Sequence, residues 1–487
     1  MPSSDLKSST IRSLFWKLFE QGGAAAITLV VQIVMARILA PDEFGMLAIM
    51  LVFVNVGNVI VQSGLNTAVI QAPDVSERDY STVFWMSLAI SVVLYAAVFL
   101  AAPSIAGFYG MPGVVWPLRA LVLILVVNAY NSIQEAIVAR NLEFQKTFRS
   151  TVTAGIVSGC VSIASALLGA GIWALVIQQL LYQLCKCIVL AAQIPWKPRA
   201  VFDRARAATL FRFGWKLLVS GLLDQGYQSL SDLIIGKVFT SADLGYVSQG
   251  KKYPQALGVT LDGAIQPVML SAVAHVQEDR HQVKRLARRA LKTSTFLIVP
   301  AMSMFGIVAA PLVTLLLGEK WLPCVPFLQL YCFIYALQPI HTTNLQVLNG
   351  VGRSDLFLRL EVIKKVVGVT VMCFTAFVLR DILLIVVGYA VTGVICTFIN
   401  ASPNKRVIGY AYHEQIRDIC PAFLLSAVAG AAAMPIGLLG LPDIATVALQ
   451  VVAMGVVYLA VARLFRVEEL SYLLNTFREI MMKRKRG

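Results

Sequence analysis

The stretch Ala36-Arg37-Ile38-Leu39-Ala40-Pro41-Asp42-Glu43-Phe44-Gly45 returns about 200 residues later as Gly236-Lys237-Val238-Phe239-Thr240-Ser241-Ala242-Asp243-Leu244-Gly245. Each copy places a cation and then an acidic residue two positions before glycine, between two apolar runs. Working outward, Trp16-Lys17 matches Trp215-Lys216 at the start of the first of those runs. A weaker echo pairs Ile133-Gln134 and Glu143-Phe144 with Leu345-Gln346 and Asp355-Leu356. The apolar runs are long enough to cross a bilayer, and the charges sit where a membrane helix ordinarily has none. A membrane half written twice, with polar residues at matching places, points to a transporter built from two repeats.

The composition agrees. Of 487 residues, 58% are hydrophobic, and the mean hydropathy is +0.75. A soluble domain cannot cover that much apolar surface. At roughly 20 residues per crossing, the apolar runs predict about fourteen membrane helices. They lie near 12–40, 45–71, 80–106, 114–138, 148–169, 172–194, 210–239, 244–275, 291–317, 322–348, 356–379, 382–400, 418–438 and 443–465. About six helices separate matching points of the repeat, so both copies run in the same direction, related by an axis along the membrane normal. The expected layout is an N-lobe over 1–205, a C-lobe over 206–403, and two unmatched helices with a basic tail over 404–487.

A net charge of +15 could suggest nucleic acid. Its distribution points elsewhere. With the N-terminus cytoplasmic, the basic clusters at 140–149, 197–212, 280–292, 353–365 and 405–417 and the tail Lys483-Arg484-Lys485-Arg486 all fall inside, while the outside loops hold Lys320 and Arg380. That is the positive-inside pattern, and it predicts two cytoplasmic termini. No signal peptide is read at the N-terminus. Lys284, Arg285, Arg288, Arg289 and Lys292 recur at spacings of three and four, giving a short helix a basic face. Such a face suits an anionic leaflet or serves as ordinary topological charge. The eight cysteines read as packing residues, and the four histidines form no metal-ligand spacing. Neither metal nor cofactor is expected.

Helical geometry gathers the polar residues onto faces. At about 100° per residue, Lys17, Gln21, Thr28 and Gln32 fall within about 60° of one another. Lys216, Ser220, Tyr227 and Ser231 repeat the face in the seventh helix, beside a second stripe of Gln225, Gln228 and Asp232 with Asp224 between them. In the eighth helix Lys251, Gln255, Asp262 and Gln266 share a face, and Lys252 adds charge. Subtracting 200 gives Leu51, Asn55, Gln62 and Asn66 in the second helix, so three of the four polar positions are present in both copies. Charges at membrane depth cost on the order of 3 kcal/mol each and persist where they meet water, one another or a substrate. Pairing for packing, as between Lys17 and Glu20 or Lys216 and Asp224, is the alternative. Snorkelling is open to Lys17, Arg37 and Lys237.

The Trp-Lys first helix, the Ala36–Gly45 turn and Arg140-Asn141-Leu142-Glu143-Phe144 together resemble the polysaccharide transporters of the multidrug/oligosaccharidyl-lipid/polysaccharide superfamily. Wzx-type lipid-linked oligosaccharide flippases of the colanic-acid exporter-like branch are the nearest likeness, over nearly the whole chain. The resemblance implies an all-α, MATE-like membrane fold with two pseudo-symmetric lobes around a central cavity. It implies a bacterial inner-membrane protein, not an enzyme, that moves an undecaprenyl-diphosphate-linked repeat unit across the bilayer by alternating access for exopolysaccharide or O-antigen assembly. Coupling to a proton or sodium gradient follows from the same likeness, and the pathway's polymerase and chain-length machinery are further partners it suggests. A diphosphate wants cations and sugar hydroxyls want amides. The expected substrate-binding set is therefore Lys17, Gln21, Gln32, Arg37, Asn55, Gln62, Asn66, Lys216, Gln225, Gln228, Lys237, Lys251, Lys252, Gln255 and Gln266. Glu20, Asp224, Asp232 and Asp262 are the expected coupling carboxylates. A multidrug or organic-cation antiporter would need a mostly acidic cavity. A glycan polymerase or ligase would need a sizeable external catalytic loop, and the outside loops are short.

Overall fold

The computed structural model describes residues 23, 26–62, 64–71, 75–473 and 475. Side chains are outside the description at 71, 213, 261, 262, 264, 267 and 268. The chain divides into two compact units, Met1–Gly245 and Tyr246–Gly487.

The first unit holds α1 (Ala26–Ile38), α2 (Pro41–Gln62), α3 (Leu65–Gln71), α4 (Glu77–Tyr109), α5 (Val115–Leu121), α6 (Leu123–Asn141), α7 (Phe144–Leu167), α8 (Ile172–Gln193) and α9 (Arg204–Val238). The first turn of α10 (Ser241–His275) completes it. The rest of α10 opens the second unit, followed by α11 (Arg280–Ile307), α12 (Ala309–Leu316), α13 (Val325–Ala336), α14 (Gln338–Gly350), α15 (Ser354–Phe374), α16 (Ile382–Ala401), α17 (Asn404–Val407), α18 (Tyr412–Ala433) and α19 (Asp443–Leu464).

Eleven helical stretches among the described residues are long and apolar enough to cross a membrane, against the expected fourteen. The three that differ do so for separate reasons. The apolar helix α1 is shorter within the described residues. Both α9 and α10 run for 35 residues. At about 1.5 Å per residue, that length exceeds a hydrocarbon core of about 30 Å. On α9, Asp224, Gln225, Gln228 and Asp232 interrupt the apolar run, and α10 contains residues whose side chains are outside the description.

Helix starts follow capping chemistry. Ser76 and Asp79 form a reciprocal box at α4, and Gly110 closes it in the left-handed conformation at φ 67°. Asp203, Asp279 and Asp381 accept first-turn amides at α9, α11 and α16. Packing within the first unit uses small residues, as membrane helices do. The buried face of α7 is Thr147, Ser150, Thr151, Ala154, Gly155, Ser158, Gly159, Ser162 and Ala166. Ile27 and Val31 of α1 lie where a side chain on Gly155 or Gly159 would stand.

The basic connection before α9 is bolted to α4. Arg199 donates its amide N–H to Ser81 Oγ at 3.1 Å, and Asp203 donates to Thr82 Oγ1 at 3.2 Å. Arg206 Nε reaches the buried Asp79 carboxylate at 2.9 Å. Trp196 stacks on Tyr130 at 5.8 Å and meets Phe84 edge-on, over Leu190, Ile194 and Ile133.

The last two long helices, α18 and α19, pack on α11 in the second unit. Tyr458 of α19 donates its hydroxyl to the Phe296 carbonyl at 2.8 Å, and the two rings lie 5.1 Å apart. Tyr458→Phe keeps the ring and loses the bond. It should cost about 1 kcal/mol, seen as a drop of about 1 °C in the melting temperature of the purified protein. An unchanged melting curve would count against a stabilising role for that bond.

Candidate functional site

The duplicated stretch builds one helix crossing. Glu43 Oε2 accepts the Ala40 amide N–H at 2.8 Å. Asp243 Oδ2 accepts the Thr240 amide and hydroxyl at 3.2 and 2.7 Å, and Asp243 N–H donates back to Thr240 Oγ1 at 3.2 Å. The acidic residue of each copy is thus a helix-start device. The glycine that follows answers to a different force. A Cβ on Gly45 would stand 1.8 Å from the Ser241 carbonyl oxygen, and one on Gly245 would stand 2.1 Å from the Pro41 carbonyl oxygen. The first turns of α2 and α10 therefore touch backbone to backbone, each glycine under the other helix's start. Ser241 Oγ donates to Asp42 Oδ1 at 2.8 Å and ties the two turns together.

Lys17, Glu20 and Gln21 lie outside the described residues, as does the Asp262 side chain. Arg37, Asn55 and Gln62 are exposed, and Asn66 is half-buried. Gln32 instead turns inward, with Nε2 3.4 Å from Gln178 Oε1 of α8. On α9, Lys216, Asp224 and Gln228 are exposed, and Gln228 Nε2 donates to Asp224 Oδ2 at 2.8 Å. Gln225 Nε2 donates to Ser229 Oγ at 3.0 Å, and Ser231 Oγ to Asp232 Oδ1 at 3.3 Å. Lys237 is exposed but engaged, donating to the Phe108 carbonyl at 2.6 Å with its ammonium 4.1 Å from the Phe108 ring centre. A cation at the carbonyl end of α4 is well placed by helix electrostatics. On α10, Lys251, Lys252 and Gln255 are half-buried and Gln266 is exposed.

Reading faces one helix at a time missed a second polar set. Inside the first unit, Asn128 of α6 donates to Asn58 Oδ1 of α2 at 2.7 Å and accepts from Gln183 of α8. One and two helical turns on, Asn131 and Lys186 converge on Glu135, with Lys186 Nζ 2.5 Å from Glu135 Oε1. The second unit has an ion pair of its own on α15, Glu361 with Lys364 at 2.5 Å. Asn400 Nδ2 lies 3.0 Å from His341 Nδ1, so the histidine is held as a packed polar contact. The available signal was the charge itself: Lys186 stands in the apolar run Ile172–Gln193 and Glu135 in Pro112–Asn141.

The Arg140–Phe144 motif is a helix-to-helix turn. Leu142 takes the left-handed conformation at φ 58°, Glu143 pairs with Lys146 at 2.7 Å, and Arg140 donates to the Val69 carbonyl at 3.1 Å.

An all-helical, multi-pass membrane protein with ions on its interior helices has the form of a transporter. Solved structures bear out the fold. A lipid II flippase MurJ in an inward closed conformation superposes with a TM-score of 0.69 at 13% identity, covering 95% of this chain and 99% of that one. An inward-facing multidrug resistance MATE transporter of the MOP superfamily superposes at 0.62 and 15% identity, covering 79% of this chain and 94% of that one. The family model described as polysaccharide biosynthesis protein matches residues 34–326, and this chain belongs to that family. Among curated relatives, the succinoglycan biosynthesis transport protein ExoT of Rhizobium meliloti (strain 1021) is 25% identical over 366 residues, 75% of this chain and 74% of ExoT. The lipopolysaccharide biosynthesis protein WzxC of Escherichia coli (strain K12) is 23% identical over 432 residues, 86% of each chain.

Proposed function

We propose that this chain moves an undecaprenyl-diphosphate-linked oligosaccharide repeat unit across the bacterial inner membrane, by alternating access, for exopolysaccharide or O-antigen assembly. The observation that carries the proposal is the polarity of α9 and α10. Each is long enough to span a bilayer, and together they present Lys216, Asp224, Gln228, Lys251, Lys252 and Gln255 at exposed or half-buried positions. At about 3 kcal/mol per intramembrane charge, packing alone does not account for so many.

In this reading Lys17, Arg37, Lys216, Lys237, Lys251 and Lys252 receive the diphosphate. Cations suit that group because phosphate oxygens take charge-assisted hydrogen bonds. Gln21, Gln32, Asn55, Gln62, Asn66, Gln225, Gln228, Gln255 and Gln266 hydrogen-bond sugar hydroxyls, and the polyprenyl chain stays in lipid. Glu20, Asp224, Asp232 and Asp262 are assigned to proton or sodium coupling. Both termini are cytoplasmic, as the charge distribution favours. The chain performs no covalent chemistry in this scheme.

The test is a strain lacking the gene. Lipid-linked repeat units should accumulate on its inner leaflet and polymer should fail to appear, and the intact chain should reverse both. Lys216→Ala and Lys251→Ala, each expressed at normal level, should cut polymer output at least tenfold. Full output from both variants would remove the cationic-site assignment; no accumulation in the deletion strain would remove the function.

A further inference from the structure

The basic face of α11 is divided by the structure. Lys284 meets Glu414 at 2.6 Å and the Gly409 carbonyl at 2.6 Å. Arg288 makes a two-pronged bond to the buried Asp418 at 2.6 and 2.8 Å, and Tyr410 donates its hydroxyl to the same carboxylate at 2.7 Å. Those two cations belong to the docking of α18. Arg285, Arg289 and Lys292, with the Asp418-bound Arg288 beside them, line a cavity of about 850 Å³ whose opposite wall is Glu468, Glu469 and Tyr472 of the C-terminal segment. Lys292 reaches Glu469 at 3.0 Å and Glu468 at 3.5 Å, and the Arg289 guanidinium stands 4.4 Å from the centre of the Tyr472 ring. Among the described residues, Arg285 and Arg289 have no carboxylate partner.

We propose that this cavity is a binding site for the phosphate headgroup of an anionic phospholipid, with Glu468 and Glu469 as internal ligands that compete for its cations. Three features support it. The cavity has room for a headgroup. Its open cations are guanidinium groups, whose fork matches phosphate oxygens. The cationic turns sit where the polar start of α11 gives way to its apolar run, whose Leu297 is exposed, the depth at which a headgroup meets a membrane helix. The carboxylates already paired with Lys292 mark the site as one that accepts anionic oxygens. Phospholipid is favoured over free phosphate because the cavity adjoins that apolar run. The inference is independent of the sugar-lipid substrate proposed above.

The test uses the whole chain purified in detergent with equal phosphatidylglycerol and phosphatidylcholine, with bound lipid counted by native mass spectrometry. The intact chain should retain phosphatidylglycerol in preference. Arg285→Gln with Arg289→Gln should lower that retention at least threefold, and Glu468→Gln with Glu469→Gln should raise it. Lys405→Gln with Arg406→Gln removes the same charge from a separate basic cavity of the same unit and should change retention by less than half as much. Equal loss in both basic double variants means diffuse surface charge and overturns the site. Displacement by inorganic phosphate without any lipid preference overturns the phospholipid and assigns free phosphate. Lower retention after removal of the two carboxylates overturns the competition. Arg285 and Arg289 are exposed, so a melting temperature equal to that of the intact chain is the folding control.

Discussion

Gly45→Val and Gly245→Val should each disable the protein. The obstacle at either position is a backbone carbonyl oxygen, 1.8 Å from the new Cβ at Gly45 and 2.1 Å at Gly245. A flexible side chain could move aside; a helix start cannot do so without breaking its own cap. At Gly45 the turn is held by Glu43 on the Ala40 amide, and the facing turn by Asp243 on Thr240. Overpacking in a fitted core costs about 1–3 kcal/mol. Two rigid partners put this site at the upper end, so the melting temperature should fall by about 3 °C and polymer output with it. Alanine already places the offending Cβ, so Gly45→Ala should show most of the effect. An intact melting temperature in Gly45→Ala would refute the crossing.

Lys186→Met should be comparably damaging for an electrostatic reason. Its ammonium lies 2.5 Å from Glu135, and Asn131 Nδ2 is 3.4 Å from the same carboxylate oxygen. Removing one partner of a buried ion pair costs about 3–5 kcal/mol, because the other charge stays behind unpaired. Glu135 is 38% exposed, so the lower part of that range applies here. Lys186→Met should therefore reduce the amount of protein in the membrane severalfold. Glu135→Gln with Lys186→Met carries no stranded charge and should restore it, since neutral replacement of a buried pair is often tolerated. Transport by the restored double variant should stay below about a tenth of normal if the pair acts on substrate or coupling ion, following the rule that intramembrane ions mark function. Normal accumulation of Lys186→Met alone would show that the pair is not needed for folding.

Two features were legible in the sequence for local reasons. The apolar runs were, because a bilayer sets a length of roughly 20 residues per helix that needs no partner to be recognised. The polar faces of α9 and α10 were too, because helical geometry brings Lys216, Ser220, Tyr227 and Ser231 to one side wherever the helix packs. A single helix does not show where Gln32 packs. Its face was found, but its partner Gln178 is 146 residues away on α8. Lys216 was weighed as a partner for Asp224, whereas Gln228, one turn along, donates to that carboxylate. The basic stripe of α11 is a single face by periodicity; Asp418, 130 residues on, claims Arg288, and among the described residues no carboxylate pairs with Arg285 or Arg289.

The Glu-Phe-Gly and Asp-Leu-Gly stretches show both kinds of cause side by side. By itself the sequence determined that Glu43-Phe44-Gly45 and Asp243-Leu244-Gly245 resemble each other and that each lies between two apolar runs, since both patterns are written in consecutive residues. Tertiary structure alone decided why both copies carry glycine. Gly45 lies under the Ser241 carbonyl and Gly245 under that of Pro41, a contact across about 200 positions. Capping and helical periodicity act over a turn or two and are written in consecutive residues. Steric exclusion and ion pairing between helices depend on which distant residues arrive at the same place, which the packed chain alone settles.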